Sequence, residues 1–331
     1  MAAETRPPAA KRGRIARNTA VFSILTGLSR IAGLIREIVA SSYFGTSGPF
    51  SAFTLAFQVP NLVRNLFADA ALSAAFVPVF TELMEKGKKR EAFQLASTFV
   101  VLITAALTVV CVFFVLIAPY LMPALTPGDE FDAELDALAV GLSQVLFGIV
   151  LLLGLNGLIV GILNAYDHFT IPALAPLVWN FVIIGLLVAL RPRFDGPDQL
   201  YAYAIAVVAA TFVQLVMAVP VLRRLDFKFE RKVDFRDPRV KQVLALMLPV
   251  TLSLGLINFN MLINSALGAA VSDEAPRGID AAFRIYMLPQ GMFSVAVATV
   301  LFPALARLAT RRDFDGLRKL CLLYTSPSPR D

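Results

Sequence analysis

The sequence has few of the residues on which enzymes, metal sites and disulfide-linked folds depend. It contains one histidine, His168, and two cysteines, Cys111 and Cys321, among 331 residues. A Ser-His-Asp or Cys-His arrangement, an HExxH zinc motif and a disulfide scaffold are therefore excluded. No Walker A loop is present, so the chain does not hydrolyse ATP. The sequence predicts a protein that is not an enzyme and needs neither a metal nor a cofactor.

Charge is scarce as well. Charged residues make up 16% of the chain, whereas an ordinary soluble domain has about 25%. Hydrophobic residues make up 57%, and the mean hydropathy is +0.71. This composition excludes a disordered chain and a protein that binds nucleic acid through a charged surface. An aqueous fold could not cover its surface with polar groups, so the sequence predicts an all-α polytopic membrane protein.

Long apolar runs follow a polar, basic tail at residues 1–18. Each run is long enough to span a bilayer as a helix, which takes about 20 residues. The predicted spans are 19–43, 51–83, 94–122, 135–164, 170–190, 199–222, 240–270 and 278–309.

Basic residues in the connections alternate along the chain. The tail has five, the second loop (84–93) has four and the sixth loop (223–241) has eight, whereas the first, third and fourth loops have none. Because cytoplasmic loops are enriched in lysine and arginine, the N-terminus and the end of the eighth span are both predicted to be cytoplasmic.

A few charged residues lie inside the predicted spans and away from their ends. They are Arg30, Arg36, Glu37, Arg64, Asp69 and Arg284. A charge near the bilayer centre costs several kcal/mol unless it faces a cavity or a partner. We therefore predict that the four arginines line a cavity, and that the two acids are structural counter-ions or gating groups. Snorkelling to the membrane surface is the alternative, and it fits Arg36 and Glu37 better than Arg30 and Arg64.

Arginines in a cavity with few acids indicate an anionic substrate. A guanidinium binds phosphate oxygens in a bidentate way that lysine cannot reproduce. A cation exporter would instead need buried carboxylates. The sequence therefore predicts a transporter of an anionic molecule.

Four stretches carry a resemblance to a known family. They are SRIAGLIREIVASSYFG (29–45), AFQVPNLVRNLFADAALSAAFVPVF (56–80), GILNAYDHFTIPALAPLVWN (161–180) and FRIYMLPQGMFSVAVATVLFPALARL (283–308). In these the chain resembles the MurJ (MviN) lipid II flippases of the multidrug/oligosaccharidyl-lipid/polysaccharide exporter superfamily. The resemblance implies the fold of that superfamily, an inner-membrane location and alternating access.

The resemblance also assigns roles. The family's cavity arginines fall on Arg30, Arg36, Arg64 and Arg284, where they would bind the pyrophosphate of lipid II (undecaprenyl-pyrophosphoryl disaccharide-pentapeptide). Membrane lipids and cell-wall synthesis proteins are the other expected partners. Two positions depart from the family pattern: Ser51 stands where an aspartate is frequent, and Phe283 replaces an aspartate before Arg284.

Because the family has 14 helices, six in each lobe and two more, the resemblance also divides the chain. The expected parts are a complete first lobe of six helices (19–222), a basic cytoplasmic linker (223–239), and a partial second lobe with two helices and the start of a third (240–319). Residues 320–331, with Pro327 and Pro329, are expected to be a non-native tail on a truncated chain. A natural short form that needs a partner chain is the alternative.

Other functions remain open on the sequence. The cargo could be another polyprenyl-linked glycan. A drug/cation antiporter of the same superfamily would need an acidic coupling residue in the first span, where Glu37 is the candidate. A membrane scaffold without transport is a further alternative, and it requires the intramembrane arginines to be replaceable.

Overall fold

The computed structural model of the chain describes residues 9–67, 70–126, 131–166, 168–230, 232–287, 305, 308 and 313–323. The regular elements in these ranges are helices, and the predicted all-α fold class is confirmed. The chain divides into two compact units, Met1–Gly278 and Ile279–Asp331.

The helices follow the predicted apolar segments. They are α1 (Ala9–Phe44), α2 (Gly48–Phe67), α3 (Ala70–Glu85), α4 (Lys89–Leu125), α5 (Ala133–Leu146), α6 (Gly148–Ala165), α7 (Thr170–Leu190), α8 (Gln199–Arg224), α9 (Pro238–Ala269), α10 (275–287) and α11 (Phe314–Leu323). Two short 3₁₀ turns, Arg191–Arg193 and Gly196–Asp198, connect α7 to α8.

Within the described residues, four helical stretches have the length and composition of membrane spans. They are Lys89–Leu125, Ala133–Ala165, Thr170–Arg193 and Gly196–Arg224, and they match the third to sixth predicted spans. The first helix begins at Ala9, inside the predicted tail. Lysine, arginine and alanine are good helix formers, so the helix extends beyond the apolar run.

The fourth predicted span, 135–164, is interrupted. α5 ends at Leu146, and a tighter turn follows in which the Val150 N–H donates to the Phe147 carbonyl over 3.1 Å. The same carbonyl accepts from the Cys111 thiol of α4, with a sulfur–oxygen distance of 3.3 Å. A side chain that bonds into the backbone ladder is a recognised cause of a break in a helix.

The helices of the first unit pack through small and aromatic side chains. α2 contacts α5 and α9, α3 contacts α6 and α9, α4 contacts α6, and α7 lies between α1 and α8. Five phenylalanines of the described residues are almost completely buried: Phe50, Phe76, Phe80, Phe99 and Phe147. Gly154 on α6 faces Leu107 on α4 so closely that an added methyl group would overlap that leucine. Close approach of helix backbones at glycine is typical of helices packed in membranes.

Large apolar side chains also cover the outer surface. Examples are Ile24 on α1, Val109 and Leu116 on α4, and Leu256 on α9, all of which are exposed. Water would not favour such a surface, whereas the acyl chains of a bilayer cover it without cost.

The linker between α8 and α9 has no regular helix, but it is held against α4. The Glu230 N–H donates to Ser97 Oγ over 2.9 Å, and the Asp234 N–H donates to Thr98 Oγ1 over 3.2 Å. The buried Phe227 ring lies 5.1 Å from the ring of Phe93. The predicted basic linker is therefore packed along a helix.

Candidate functional site

α1 carries a buried arginine against α7. Arg36 is only 9% exposed, and its guanidinium carbon lies 4.9 Å from the centre of the Trp179 ring. Within the described part of the chain, Arg36 Nε has no hydrogen-bond partner. The indole ring stabilises the cation through its π face, while the Nε donor remains available to an acceptor. This arrangement suits a ligand that carries negative charge.

Trp179 is itself held in place by α8. Its indole N–H donates to Thr211 Oγ1 over 3.0 Å. The next residue, Asn180, donates from Nδ2 to the Ser29 carbonyl of α1 over 3.4 Å. A Cβ added at Gly33 would lie 3.8 Å from Asn180 Oδ1, an ordinary van der Waals distance, so α1 and α7 lie close together at this point. The face of α1 that presents Arg36 is thereby fixed against α7.

Glu37, the next residue on α1, has a different partner. Arg277 donates from Nη2 to Glu37 Oε1 and, over 2.8 Å, to Ser41 Oγ. Arg277 is 2% exposed. The structure therefore contains an almost completely buried ion pair between α1 and the start of α10.

Arg277 also connects α10 to α2. Its backbone N–H donates to Ser51 Oγ over 3.2 Å, and its guanidinium carbon lies 4.0 Å from the centre of the Phe50 ring. Phe50 belongs to an aromatic cluster with Phe44 and Tyr203. One arginine thus contacts α1 and α2 through two hydrogen bonds, an ion pair and a cation–π contact.

The remaining predicted site residues have varied surroundings. Arg30 is exposed, and Arg64 is half-buried on α2. In the second unit, Arg284 Nε donates to Asp280 Oδ2 over 2.7 Å. Asp69 lies outside the described residues. That the four arginines line one cavity stays a prediction.

Sequence reasoning missed two residues of this region, Arg277 and Asp280. The predicted spans 240–270 and 278–309 leave Arg277 in the connection between them, whereas α10 begins at residue 275 and includes it. Proline is favoured in the first turn of a helix, so Pro276 was a signal for this start. Asp280 precedes Arg284 by four positions, the spacing of an ion pair on one helix face, and supplies a carboxylate although Phe283 replaces the family's aspartate.

The chemistry available to these residues is the binding of anions. Within the described ranges, no group of three or more histidine, cysteine or acidic residues could hold a metal ion. The buried cations Arg36 and Arg277 are arginines, whose planar donors match phosphate and carboxylate oxygens.

Comparison with known proteins identifies the family. Residues 40–323 match the family model described as "Lipid II flippase MurJ". The chain belongs to the lipid II flippase MurJ family. This is a family of transporters and not of catalytic enzymes, and the chain is a multi-pass membrane protein.

Two curated relatives show the extent of the similarity. The lipid II flippase MurJ of Burkholderia cenocepacia is 31% identical over 292 residues, which cover 87% of this chain and 56% of the relative. A protein of Rhizobium meliloti, named as a probable lipid II flippase MurJ, is 33% identical over 290 residues, which cover 84% of this chain and 52% of the relative. The chain thus spans little more than half the length of these relatives.

Solved structures share the fold. A lipid II flippase MurJ in an inward closed conformation matches with a TM-score of 0.69 and 24% identity, over 89% of this chain and 59% of that one. An inward-facing multidrug resistance MATE family transporter of the MOP superfamily matches with a TM-score of 0.70 and 16% identity, over 91% of this chain and 65% of that one. The predicted MOP-superfamily fold is confirmed.

Proposed function

We propose that this protein moves lipid II from the inner to the outer leaflet of the bacterial cytoplasmic membrane by alternating access. The observation that carries this proposal is the match of residues 40–323 to the lipid II flippase MurJ family model. The relatives named as lipid II flippases, at 31% and 33% identity, support it. The buried cation on α1 supports it independently, because lipid II carries a pyrophosphate.

The pyrophosphate would be bound by Arg30, Arg36, Arg64 and Arg284. Arg36 has the best-defined environment of the four, since it is buried and stacked on Trp179. A buried guanidinium is already shielded from water. A phosphate ligand therefore binds it strongly, because the low dielectric around it strengthens the charge-assisted hydrogen bond. Arg30 is exposed, and it would contact the head group first as lipid II enters the site.

Glu37 would act as the counter-ion of Arg277. The orientation that we propose has the N-terminus in the cytoplasm, which puts the end of α1 near the outer surface. The Arg277–Glu37 pair would then hold the outer ends of α1, α2 and α10 together in the state described here. The proposed lobes are residues 19–222 and a partial second lobe at 240–319.

A cation antiporter of the same superfamily fits the structure less well. Glu37, the acidic residue that would have to bind the coupling cation, already accepts from Arg277. A carboxylate paired with arginine has little affinity for a second cation. A flippase for another polyprenyl-linked glycan shares the anionic chemistry, and the experiment below distinguishes it by its cargo.

Expression in cells depleted of their own lipid II flippase tests the function. The gene that encodes this chain is expected to restore growth and to make lipid II accessible to an externally added degrading enzyme. Single substitutions of Arg30, Arg36, Arg64 or Arg284 by alanine are expected to reduce that access at least about tenfold, because each removes a charge-assisted hydrogen bond to the pyrophosphate. Arg193→Ala, an exposed arginine in the α7–α8 connection, is the matched control.

Two results would overturn the proposal in different ways. Lipid II that stays protected when the protein is present at normal levels would point to another cargo. Full activity of all four arginine variants would instead refute the anionic site and leave the cargo unchanged.

A further inference from the structure

A basic cleft lies between the end of α3, the start of α4 and the α8–α9 linker, apart from the proposed substrate site. Its volume is about 530 Å³, and we call it the corner cleft. It is lined by Gly87, Lys88, Lys89, Arg90, Glu91, Gln94, Glu230 and Lys232. Both connections join helices at the same end of the first unit, so the cleft opens where the spans leave the bilayer.

The charge of the corner cleft is positive, because four of its lining residues are cationic and two are acidic. Glu91 is already paired with Lys88 at 3.2 Å and with Arg239 at 2.6 Å. Within the described residues, the structure gives Lys89, Arg90 and Lys232 no ion pair. Three cations in one concave site therefore lack an anionic partner.

Arg239, which neutralises Glu91, is fixed by the linker. Its guanidinium donates to both carboxylate oxygens of Asp237, over 2.6–3.0 Å. The same guanidinium holds the pKa of the Asp237 carboxyl below its ordinary value, so the carboxylate is charged at neutral pH. Arg239 therefore lies behind the cleft and pairs with both Asp237 and the lining residue Glu91.

The backbone adds to the positive potential. α3 ends in a Schellman motif, in which Gly87 has a φ of +73° and the Lys88 N–H donates to the Leu83 carbonyl over 2.9 Å. α4 then begins at Lys89, and Lys88 gives it no side-chain cap. The N-terminus of a helix carries partial positive charge and favours anions. Here that end opens into a cleft that is already cationic.

Aromatic residues beside the cleft indicate contact with lipid. Phe229 and Phe235 on the linker are 58% and 53% exposed, although the neighbouring Phe227 is buried against Phe93. Phe229 lies 4.9 Å from the Phe227 ring, so its position is fixed by packing. Exposed phenylalanine rings at a membrane interface are commonly buried at the boundary between the head groups and the acyl chains.

From this geometry we propose that the corner cleft binds the phosphate of an anionic phospholipid head group. Lys89, Arg90 and Lys232 contact the phosphate oxygens, and the first turn of α4 contributes its N–H groups. Phe229 and Phe235 lie among the neighbouring acyl chains. Basic pockets between membrane helices are suited to such head groups. The site is distinct from the proposed lipid II site and does not depend on it.

Lipid competition in nanodiscs tests the proposal. The purified chain is reconstituted in phosphatidylcholine with a fluorescent phosphatidylglycerol probe, and bound probe is measured by energy transfer from the protein's tryptophan. The triple variant Lys89→Gln/Arg90→Gln/Lys232→Gln is expected to bind the probe at least about tenfold more weakly, since each basic residue near the surface contributes about 1 kcal/mol. The control triple Arg223→Gln/Arg224→Gln/Lys241→Gln removes the same charge from exposed positions outside the cleft. Because these residues do not line the cleft, the control triple is expected to weaken binding clearly less than the cleft triple does.

Three results would overturn the proposal. Equal losses in both triple variants would show that diffuse surface charge attracts the lipid. Displacement of the probe by millimolar inorganic phosphate or glycerol phosphate would identify a site for a soluble anion. Equal binding of phosphatidylcholine and phosphatidylglycerol would show that there is no head-group selection. Size-exclusion profiles verify folding, and single Arg90→Gln replaces the triple variant if the latter aggregates.

Discussion

At the scale of single residues, a buried ion pair joins two residues that are 240 positions apart, Arg277 and Glu37. Each is costly to bury alone in a membrane protein, and each becomes tolerable only beside the other. A single sequence does not show such a pairing, because nothing local marks Arg277 as the partner of a residue on α1. The cost of burial did single out Arg36 and Glu37, since both interrupt an apolar run.

Removal of one partner of this pair is expected to cost about 3–5 kcal/mol in the free energy of unfolding, because it leaves a carboxylate or a guanidinium buried without its counter-charge. Arg277→Met and Glu37→Gln are the single variants. The double variant is expected to recover most of the loss. The measurement is unfolding of the detergent-solubilised protein by titration with sodium dodecyl sulfate.

The exposed Arg193→Met variant controls for the loss of a positive charge and is expected to lie within about 0.5 kcal/mol of the parent. If Arg277→Met and Glu37→Gln each lower stability by less than about 1 kcal/mol, the pair is not a stabilising contact.

At the scale of helices, the apolar runs predicted the positions of the helices along the chain but not the residues at which they begin and end. The start of α1 at Ala9 was missed because helix propensity, and not hydropathy, determines that end. The turn at Phe147, where the Cys111 thiol of α4 donates to the backbone carbonyl, lies within one spanning stretch, Ala133–Ala165, and was not predicted. Both misses concern interactions that a hydropathy pattern does not contain.

The contact between α4 and α6 depends on a missing side chain. Gly154→Leu is expected to destabilise the protein by about 1–3 kcal/mol, because the new side chain overlaps Leu107 and forces the two helices apart. Gly185→Leu on α7 is the matched control, since no atom lies within 4 Å of the position that its Cβ would occupy. The readout is the midpoint of heat-induced aggregation in detergent. Equal midpoints for the two variants would show that α4 and α6 do not require a glycine.

At the scale of the whole molecule, the alternation of basic loops predicts the orientation in the membrane. Two single-cysteine proteins test it after Cys111 and Cys321 are replaced by serine. Cysteine at exposed Glu134, in the first turn of α5, is expected to react with a membrane-impermeant maleimide in intact cells. Cysteine at exposed Lys86, in the second connection, is expected to react only after permeabilisation. The reverse labelling pattern would invert the proposed topology.

The fold class followed from composition, which is a property of the whole chain. The family followed from four sequence stretches that lie between residues 29 and 308. The shape of the arginine site did not follow, since it depends on which faces of α1, α2 and α7 meet. Trp179 shows the difference: its position on α7 was visible in the sequence, but its role as a platform for Arg36 required the packed helices.

The packed linker between α8 and α9 has a mechanical consequence. A free tether of this length would let α9 tilt or slide without affecting the helices before it. Because two linker N–H groups bond to Ser97 and Thr98, and Asp237 caps the first turn of α9, the base of α9 is fastened to α4. If α9 tilts, its N-terminal end therefore stays next to α4. Its C-terminal end, at the opposite membrane surface, undergoes the larger displacement.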